Sequence, residues 1–304
     1  MRASRTLLVL SAVSVVAGAP IPQQGPFETQ SAQFTVGGLV AGGSQDAYIY
    51  WPLDAAEAGS AAPALNVVAF GHGKKAGGEK MDRSYHALLS TLASYGLVVI
   101  APLSCPEDLC LPELAEDLGT VLDTCAANRS LHPALASADF TRVGVAGHSM
   151  GGGAAGYLAS SENATARYGV RAYVGMHGTP VSKEAGLAVP TLYTTGAEDS
   201  LVPPPVVKSS FASSVNARPR VLAELADANH FEPTDPRYMR LNPYVAAFLL
   251  CHVAGDGAGC AALYAAADAS SLCNAYPGEM SPPDGACEIV GGAVAFGGGD
   301  EAGI

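Results

Sequence analysis

A serine flanked by glycines is the side chain of this chain best suited to covalent chemistry. It lies in Gly147-His148-Ser149-Met150-Gly151, between an apolar run and a stretch rich in alanine and glycine. In a G-x-S-x-G turn from strand to helix, the glycines permit the tight backbone that exposes the serine Oγ. The pattern predicts Ser149 as a nucleophile and the amide of Met150 as a donor to an oxyanion. The side chains of His148 and Met150 are expected to pack within the turn.

Two later loops supply the base and the acid that such a serine needs. Asp199 follows the apolar run 191–195, and His230 follows the run 221–225. The carboxyl ends of parallel strands meet at one edge of a sheet, so the three side chains are expected to converge there. His230 would take the proton of Ser149, and Asp199 would hold the imidazole in the right tautomer.

The same loops contain rival residues. Glu198 and Asp227 are alternative acids, but only Asp199 fits the pattern G-x-x-D-x-x-V-P, so we expect the other two to be solvated. His230 could instead be a surface loop histidine. The remaining histidines, His177 and His252 among them, have no motif around them and receive no role.

A second oxyanion donor is expected from the loop after the apolar run 67–70. By analogy with the HG-type loops of esterases, counting past His72-Gly73 leads to the amide of Lys74. The side chains of His72, Lys74 and Lys75 are expected to be exposed. CxxC pairs and closely spaced histidine ligands are absent from the sequence, so we expect no zinc site. The serine chemistry itself requires no metal and no organic cofactor.

Apolar strand-like runs alternate with helical patterns along the chain, which predicts an α/β fold. Continuous apolar strands indicate a mostly parallel central sheet with helices on both faces. An edge pair at 34–36 and 47–51 precedes strands at 67–70, 97–101, 143–146, 171–176, 191–195 and 221–225. Helices are predicted over 83–95 with Asp82 as cap and Gly96 after its end, over 112–127, from Gly151, and over 242–253.

The organisation is that of one domain between two short terminal segments. Arg2 and Arg5 precede an apolar run that is too short to span a membrane, so residues 1–18 are predicted to be a signal peptide. A retained membrane anchor is the alternative. We expect one α/β domain over 19–290 and a mobile glycine-rich tail over 291–304. No large cap domain is expected, because the 14 residues 177–190 between two strands leave too little chain for one.

Charge and cysteine content limit the class of protein. The formal net charge is -12 with no basic cluster beyond Lys74-Lys75, which argues against nucleic acid and anionic membranes as partners. We expect a secreted monomer whose partner is its substrate. Secretion would oxidise six of the seven cysteines into three bridges and leave one thiol over, with one bridge among Cys105, Cys110 and Cys125 and two among the last four. The stretch 254–287 is expected to form a stapled cover.

Taken together, the motifs resemble the bacterial-type cutinase and polyester hydrolase family. This family is similar to the dienelactone hydrolases, platelet-activating-factor acetylhydrolases and chlorophyllases of the α/β-hydrolase fold. The resemblance covers about residues 64–287 and rests on segments 147–153, 189–192, 196–203 and 229–233. It implies the triad Ser149, Asp199 and His230, the oxyanion amides of Lys74 and Met150, and a late cysteine pair similar to Cys273 with Cys287.

Two positions depart from the family's pattern. The members of the family that bind polyesters have an aromatic residue at the position that matches Lys74. They also have a tryptophan soon after a Thr-Pro pair, whereas in this chain Val181 follows that pair. The leading hypothesis is a secreted serine carboxylic-ester hydrolase acting through an acyl-enzyme on bulky or lipid-like esters, polymers or lipid interfaces included. The alternatives are a chlorophyllase-like or phospholipid acetylhydrolase-like esterase, a serine peptidase, an acyltransferase, and a non-catalytic binding protein on the same fold.

Overall fold

The computed structural model describes residues 21–53, 64–107, 109–181, 183–265, 268–276, 280 and 286–291. The predicted leader, residues 1–18, lies outside the described residues. So does the predicted tail, apart from Gly291.

A single sheet of nine described strands organises this part of the chain. In sheet order the strands run β1-β2-β4-β3-β5-β6-β7-β8-β9. The six strands from β4 to β8 in that order pair in parallel, whereas β1, β2 and β9 pair antiparallel at the edges. The strands are β1 Thr29–Thr35, β2 Asp46–Pro52, β3 Leu65–Gly71, β4 Leu97–Pro102, β5 Ala138–His148, β6 Val170–Met176, β7 Thr191–Gly196, β8 Arg220–Leu225 and β9 Ala286–Val290.

Helices cover both faces of this sheet. The described α-helices are α1 Lys80–Ser94, α2 Leu111–Ala127, α3 Met150–Ala159, α4 Glu162–Tyr168, α5 Pro204–Ser213, α6 Asn242–Leu249 and α7 Gly257–Tyr264. Apolar residues of α1, α6 and α7 bury one face in a core around Phe70 and Val174. Those of α2, α3 and α5 bury the other face around Val67 and Val145. The architecture is that of the α/β-hydrolase fold, which confirms the predicted fold class.

The start of α1 differs from the prediction. The helix begins at Lys80 with Glu79 as its N-cap, so the assignment of Asp82 as the cap is wrong. Asp82 lies in the first turn instead, where its carboxylate accepts a hydrogen bond from the Tyr50 hydroxyl at 3.0 Å. The end of the helix agrees with the prediction, since Gly96 follows the cap residue with a φ of 97° that suits glycine.

The described segments late in the chain pack against the sheet and its helices. Helix α7 packs against α6, and β9 pairs antiparallel with β8 at the sheet edge. The bridges Cys251–Cys260 and Cys273–Cys287 hold these segments, and Cys105–Cys110 closes a loop after β4. Cys125 is a buried free thiol. The predicted distribution of bridges is therefore confirmed, and so is the late cysteine pair.

Among the described residues, none of the helices is both long and apolar enough to cross a membrane. The single helical turn Glu184–Gly186 is the only helical segment between β6 and β7 in the described part of the chain.

Candidate active site

The turn between β5 and α3 presents Ser149 in a strained backbone conformation. Its φ of 56° and ψ of -123° lie in a region that costs a non-glycine residue about 1–3 kcal/mol. A Cβ at Gly147 would overlap the carbonyl of Gly151, and a Cβ at Gly151 would overlap the carbonyl of Gly71. Both glycines are therefore required for the helix to approach the strands closely, as the motif predicts.

The loops after β7 and β8 bring Asp199 and His230 together. The Nδ1 of His230 donates to the Oδ2 of Asp199 at 2.8 Å, and both side chains are buried. The Oδ1 of Asp199 accepts the amides of Leu201 and Val202 at 2.9 and 2.8 Å. Burial alone would raise the pKa of Asp199, but the hydrogen bonds from two histidines and the Val202 amide hold it well below its ordinary value. Asp199 is therefore an ionised acceptor.

A second histidine, which sequence reasoning left without a role, occupies the same carboxylate. The Nδ1 of His177 donates to the Oδ2 of Asp199 at 2.8 Å, and the imidazole is fully buried. His177 directly follows β6, so its position at a strand end was the signal that could have found it. Its φ of 47° adds a second strained residue to the site.

His148, the residue before the serine, links three parts of the site. Its Nε2 lies 2.8 Å from the carbonyl oxygen of His230, and its Nδ1 lies 2.8 Å from the hydroxyl of Tyr85 on α1. Burial, together with the nearby His230 and His177, lowers the pKa of His148 to about 3. His148 is thus a neutral connector that ties the serine turn to the His230 loop.

The loop after β3 lies directly against the serine. A Cβ on Gly73 would stand 3.3 Å from the Cβ of Ser149, and the Gly73 amide donates to the Tyr85 hydroxyl at 2.8 Å. The side chains of Lys74 and Lys75 are exposed, as expected. The expectation of an exposed His72 is wrong. Its ring is buried, and its two nitrogens lie 2.9 and 2.8 Å from the carbonyl oxygens of Gly73 and Ser104.

The two amides predicted to bind an oxyanion belong to Met150, which directly follows Ser149 in the chain, and to Lys74, which directly follows Gly73. Met150 is the first residue of α3, and the first amides of a helix have no partner within it.

The rival acids occupy other environments. Glu198 is exposed, and Asp227 pairs with Arg240 at 2.7 Å. Neither is in hydrogen-bond contact with His230 among the described residues.

His177, Asp199 and His230 are also close enough to hold a metal ion, since their ligand atoms lie within 4.8 Å of one another. The Nδ1 and Oδ2 atoms that would bind it are the atoms that form the two hydrogen bonds described above.

Comparison with protein families gives one result. A family model described as PETase, PET hydrolase-like, matches residues 15–266, which is most of the chain. Comparison with curated proteins gives no match.

Proposed function

Because the chain belongs to the PET hydrolase-like family of ester hydrolases, we propose that it is a secreted serine carboxylic-ester hydrolase with the triad Ser149, Asp199 and His230. The observation that carries the proposal is the strained Ser149 turn, which the neighbouring His148 links to a buried His230 that is bonded to an ionised Asp199. The predicted leader over 1–18 and the three disulfides support secretion. Residues 19–290 would then form the catalytic domain.

The reaction proceeds through a covalent acyl-enzyme. The Ser149 Oγ attacks the ester carbonyl carbon while the His230 Nε2 removes its proton, because the Nδ1 already donates to Asp199. The amides of Met150 and Lys74 bind the oxyanion. The alcohol then leaves with the proton from His230, and a water activated by the same imidazole releases the acid and restores the serine.

The surroundings of the site favour bulky or lipid-like esters. Leu201 is 62% exposed and Phe231 is 55% exposed, and each lies within two residues of a triad member. Apolar side chains left exposed beside a reactive group suit an apolar acyl chain or an interface. Lys74 and Val181 replace the aromatic residues of the family's polyester binders, which argues against tight clamping of an aromatic polymer.

The test is hydrolysis of p-nitrophenyl acetate, butyrate and palmitate by the wild type and Ser149→Ala. Turnover should fall by ~10⁴-fold or more when the nucleophile is removed. Ser130→Ala is the matched control, because Ser130 is an exposed serine whose hydroxyl bonds to Asn128. Equal activity of the wild type and Ser149→Ala would exclude Ser149 as the nucleophile.

The same assay divides the remaining alternatives. Dilute phospholipid, chlorophyll and polyester film identify the ester class, and an added alcohol that intercepts the acyl-enzyme would indicate an acyltransferase. Inertness towards every ester would favour a binding protein.

A further inference from the structure

The buried polar group that the proposed mechanism leaves unused is His177. It directly follows β6, and its amide donates to the carbonyl of Thr194 at 2.8 Å, which fixes its backbone between β6 and β7. The left-handed φ of 47° aims a fully buried imidazole at Asp199. Such a conformation in a non-glycine residue persists only where the surroundings impose it.

Both histidines donate to the same carboxylate oxygen. His177 and His230 each reach Oδ2 of Asp199 at 2.8 Å, with their rings perpendicular and the centroids 5.9 Å apart. An ionised carboxylate can only accept, so each imidazole must carry its proton on Nδ1. A second donor on one oxygen draws electron density from the bond that the first donor makes.

This inference rests on the proposed function. We propose that His177 is a positioning residue that weakens the interaction between the Asp199 carboxylate and the His230 imidazolium. By sharing Oδ2, His177 keeps Asp199 ionised and in place, and it reduces the charge available to stabilise the His230 imidazolium. The imidazolium that forms on His230 during the reaction is then stabilised less than it would be beside an unshared aspartate. The acidic limb of the pH–rate profile is the property that this arrangement sets.

Four titratable groups surround the His177 imidazole. Asp199 and His230 face its Nδ1 side, and the ring of His148 lies 6.2 Å away. The fourth is Glu232, which is buried in the loop after β8 and interacts electrostatically with His177. Burial raises the pKa of Glu232, although His177 and the Leu241 amide act in the opposite direction.

The second ring nitrogen of His177 has no hydrogen-bond partner in the described part of the chain. This Nε2 and the Oε2 of Glu232 are buried, and neither has a hydrogen-bond partner among the described residues. The Oε1 of Glu232 accepts the Leu241 amide at 3.3 Å. Glu232 is therefore a buried carboxyl group that interacts electrostatically with His177 and has one oxygen without a hydrogen-bond partner in the described part of the chain.

The experiment compares pH profiles of kcat/KM on a soluble p-nitrophenyl ester for the wild type, His177→Phe and His177→Asn. Phenylalanine keeps the ring volume without a donor, so the acidic limb should move upward by about half a unit to one unit. Asparagine places an N–H near the position of Nδ1, so its acidic limb should stay within about 0.2 units of the wild type. Glu232→Gln, which keeps shape and removes the titrating group, should move the limb less than His177→Phe does.

Two results would overturn the proposal. One is an acidic limb of His177→Phe that coincides with that of the wild type while Ser149 still reacts with a fluorophosphonate. The other is an equal displacement in His177→Asn, since the donor would then not matter. A merely structural role would lower the melting temperature of both variants without moving either limb.

Proton NMR of the wild type and Ser149→Ala keeps the test independent of variant folding and of the proposed function. Sharing of Oδ2 requires two low-field N–H resonances, assigned to the Nδ1 atoms of His177 and His230, that exchange slowly with solvent, and both should persist in Ser149→Ala. A single such resonance would overturn the proposal even if the esterase activity is established. Conversely, an active Ser149→Ala would refute the proposed function and leave the shared aspartate intact.

Discussion

At the scale of single residues, Asp199 accepts more hydrogen bonds than any simple triad role requires. Its two oxygens receive two imidazole N–H groups and two backbone amides. Hydrogen bonds to the charged form outweigh the cost of burial, which is why the pKa of Asp199 falls below its ordinary value. The carboxylate is thus fixed in charge and in orientation before any substrate binds.

Replacing Asp199 by Asn tests this description. The amide has one acceptor oxygen where the carboxylate has two. Its NH₂ group, itself a donor, would therefore face either the two imidazole N–H groups or the two backbone N–H groups that Asp199 now accepts. We expect His230 to lose its tautomer and turnover at pH 7 to fall by about 10⁴-fold, the size known for such a change in a serine protease triad. Steady-state kinetics on a p-nitrophenyl ester measures the loss.

Asp227→Asn is the matched control for this change. Asp227 is exposed and pairs with Arg240, so its variant should retain activity within about twofold. If Asp227→Asn were the inactive variant and Asp199→Asn the active one, the acid of the triad would be wrongly assigned.

Ser149 and Asp199 can be predicted from the sequence because each lies in a local pattern, whereas His177 cannot. Ser149 sits in a local pattern whose glycines are required by backbone contact, and Asp199 fits a loop pattern of its own. His177 has no local pattern. Its role depends on a left-handed backbone and on the packing of the loops after β6, β7 and β8, and neither can be read from neighbouring residues.

At the scale of elements, helix α1 supports the loop that carries the Lys74 amide. The Tyr85 hydroxyl accepts the Gly73 amide at 2.8 Å and lies 2.8 Å from the His148 Nδ1. One hydroxyl therefore joins the loop after β3 to the serine turn, and the spacing of the two predicted oxyanion donors depends on it.

Tyr85→Phe should loosen this connection. It leaves the buried Gly73 amide without its acceptor, which costs about 1–3 kcal/mol of unfolding free energy. Full loss of one oxyanion donor costs 10²–10³ in kcat, so a displaced Lys74 amide should lower kcat by about tenfold or more with little change in KM. Denaturant unfolding and steady-state kinetics measure the two effects.

Tyr157→Phe on α3 provides the comparison, because the Tyr157 hydroxyl makes a weaker contact of 3.4 Å with Lys183. Its stability and kcat should remain close to those of the wild type. A destabilised Tyr85→Phe with an unchanged kcat would mean that this loop does not supply an oxyanion donor.

The predicted elements agree with the structure where an apolar run in the sequence determines the element. They differ from the structure where contacts with distant parts of the chain determine it. The runs behind β3 to β8 are buried on both faces, so their strand character is plain in the sequence. Strand β9 is half-buried and pairs with β8, which lies more than 60 residues earlier in the chain. The local sequence therefore does not predict this strand. The start of α1 was misplaced because Asp82 is a favourable cap residue that the Tyr50 hydroxyl engages instead.

At the scale of the whole molecule, the order of the strands assembles the site. Strands β5, β6, β7 and β8 are consecutive neighbours in the sheet, and each ends just before one residue of the Ser149, His177, Asp199 and His230 group. Alternation of strands and helices predicts a parallel sheet, but it does not fix which strands are neighbours. The convergence of the predicted triad positions therefore required the strand order that the structure supplies.

Buried histidines give the whole fold a predictable sensitivity to acid. Burial lowers the pKa of His148 to about 3 and that of His252 to about 4, below the value near 6.5 of an unfolded chain. Between those values the unfolded chain binds more protons, so the free energy of unfolding falls as the pH falls. Asp199, whose pKa is lowered, acts in the same direction below its ordinary value of 3.8, whereas Glu232, whose pKa is raised, opposes it.

His252 allows this sensitivity to be measured away from the candidate site. It lies after α6, with its Nε2 2.7 Å from the Tyr264 hydroxyl and its ring against Phe248. His252→Phe removes one titrating group, so the slope of the unfolding free energy against pH between about 6 and 4.5 should decrease by up to about 1.4 kcal/mol per pH unit. Urea unfolding at a series of pH values measures the slope. An unaltered slope in His252→Phe would mean that His252 is already protonated in the folded protein, and acid sensitivity would then have to come from the histidines of the site itself.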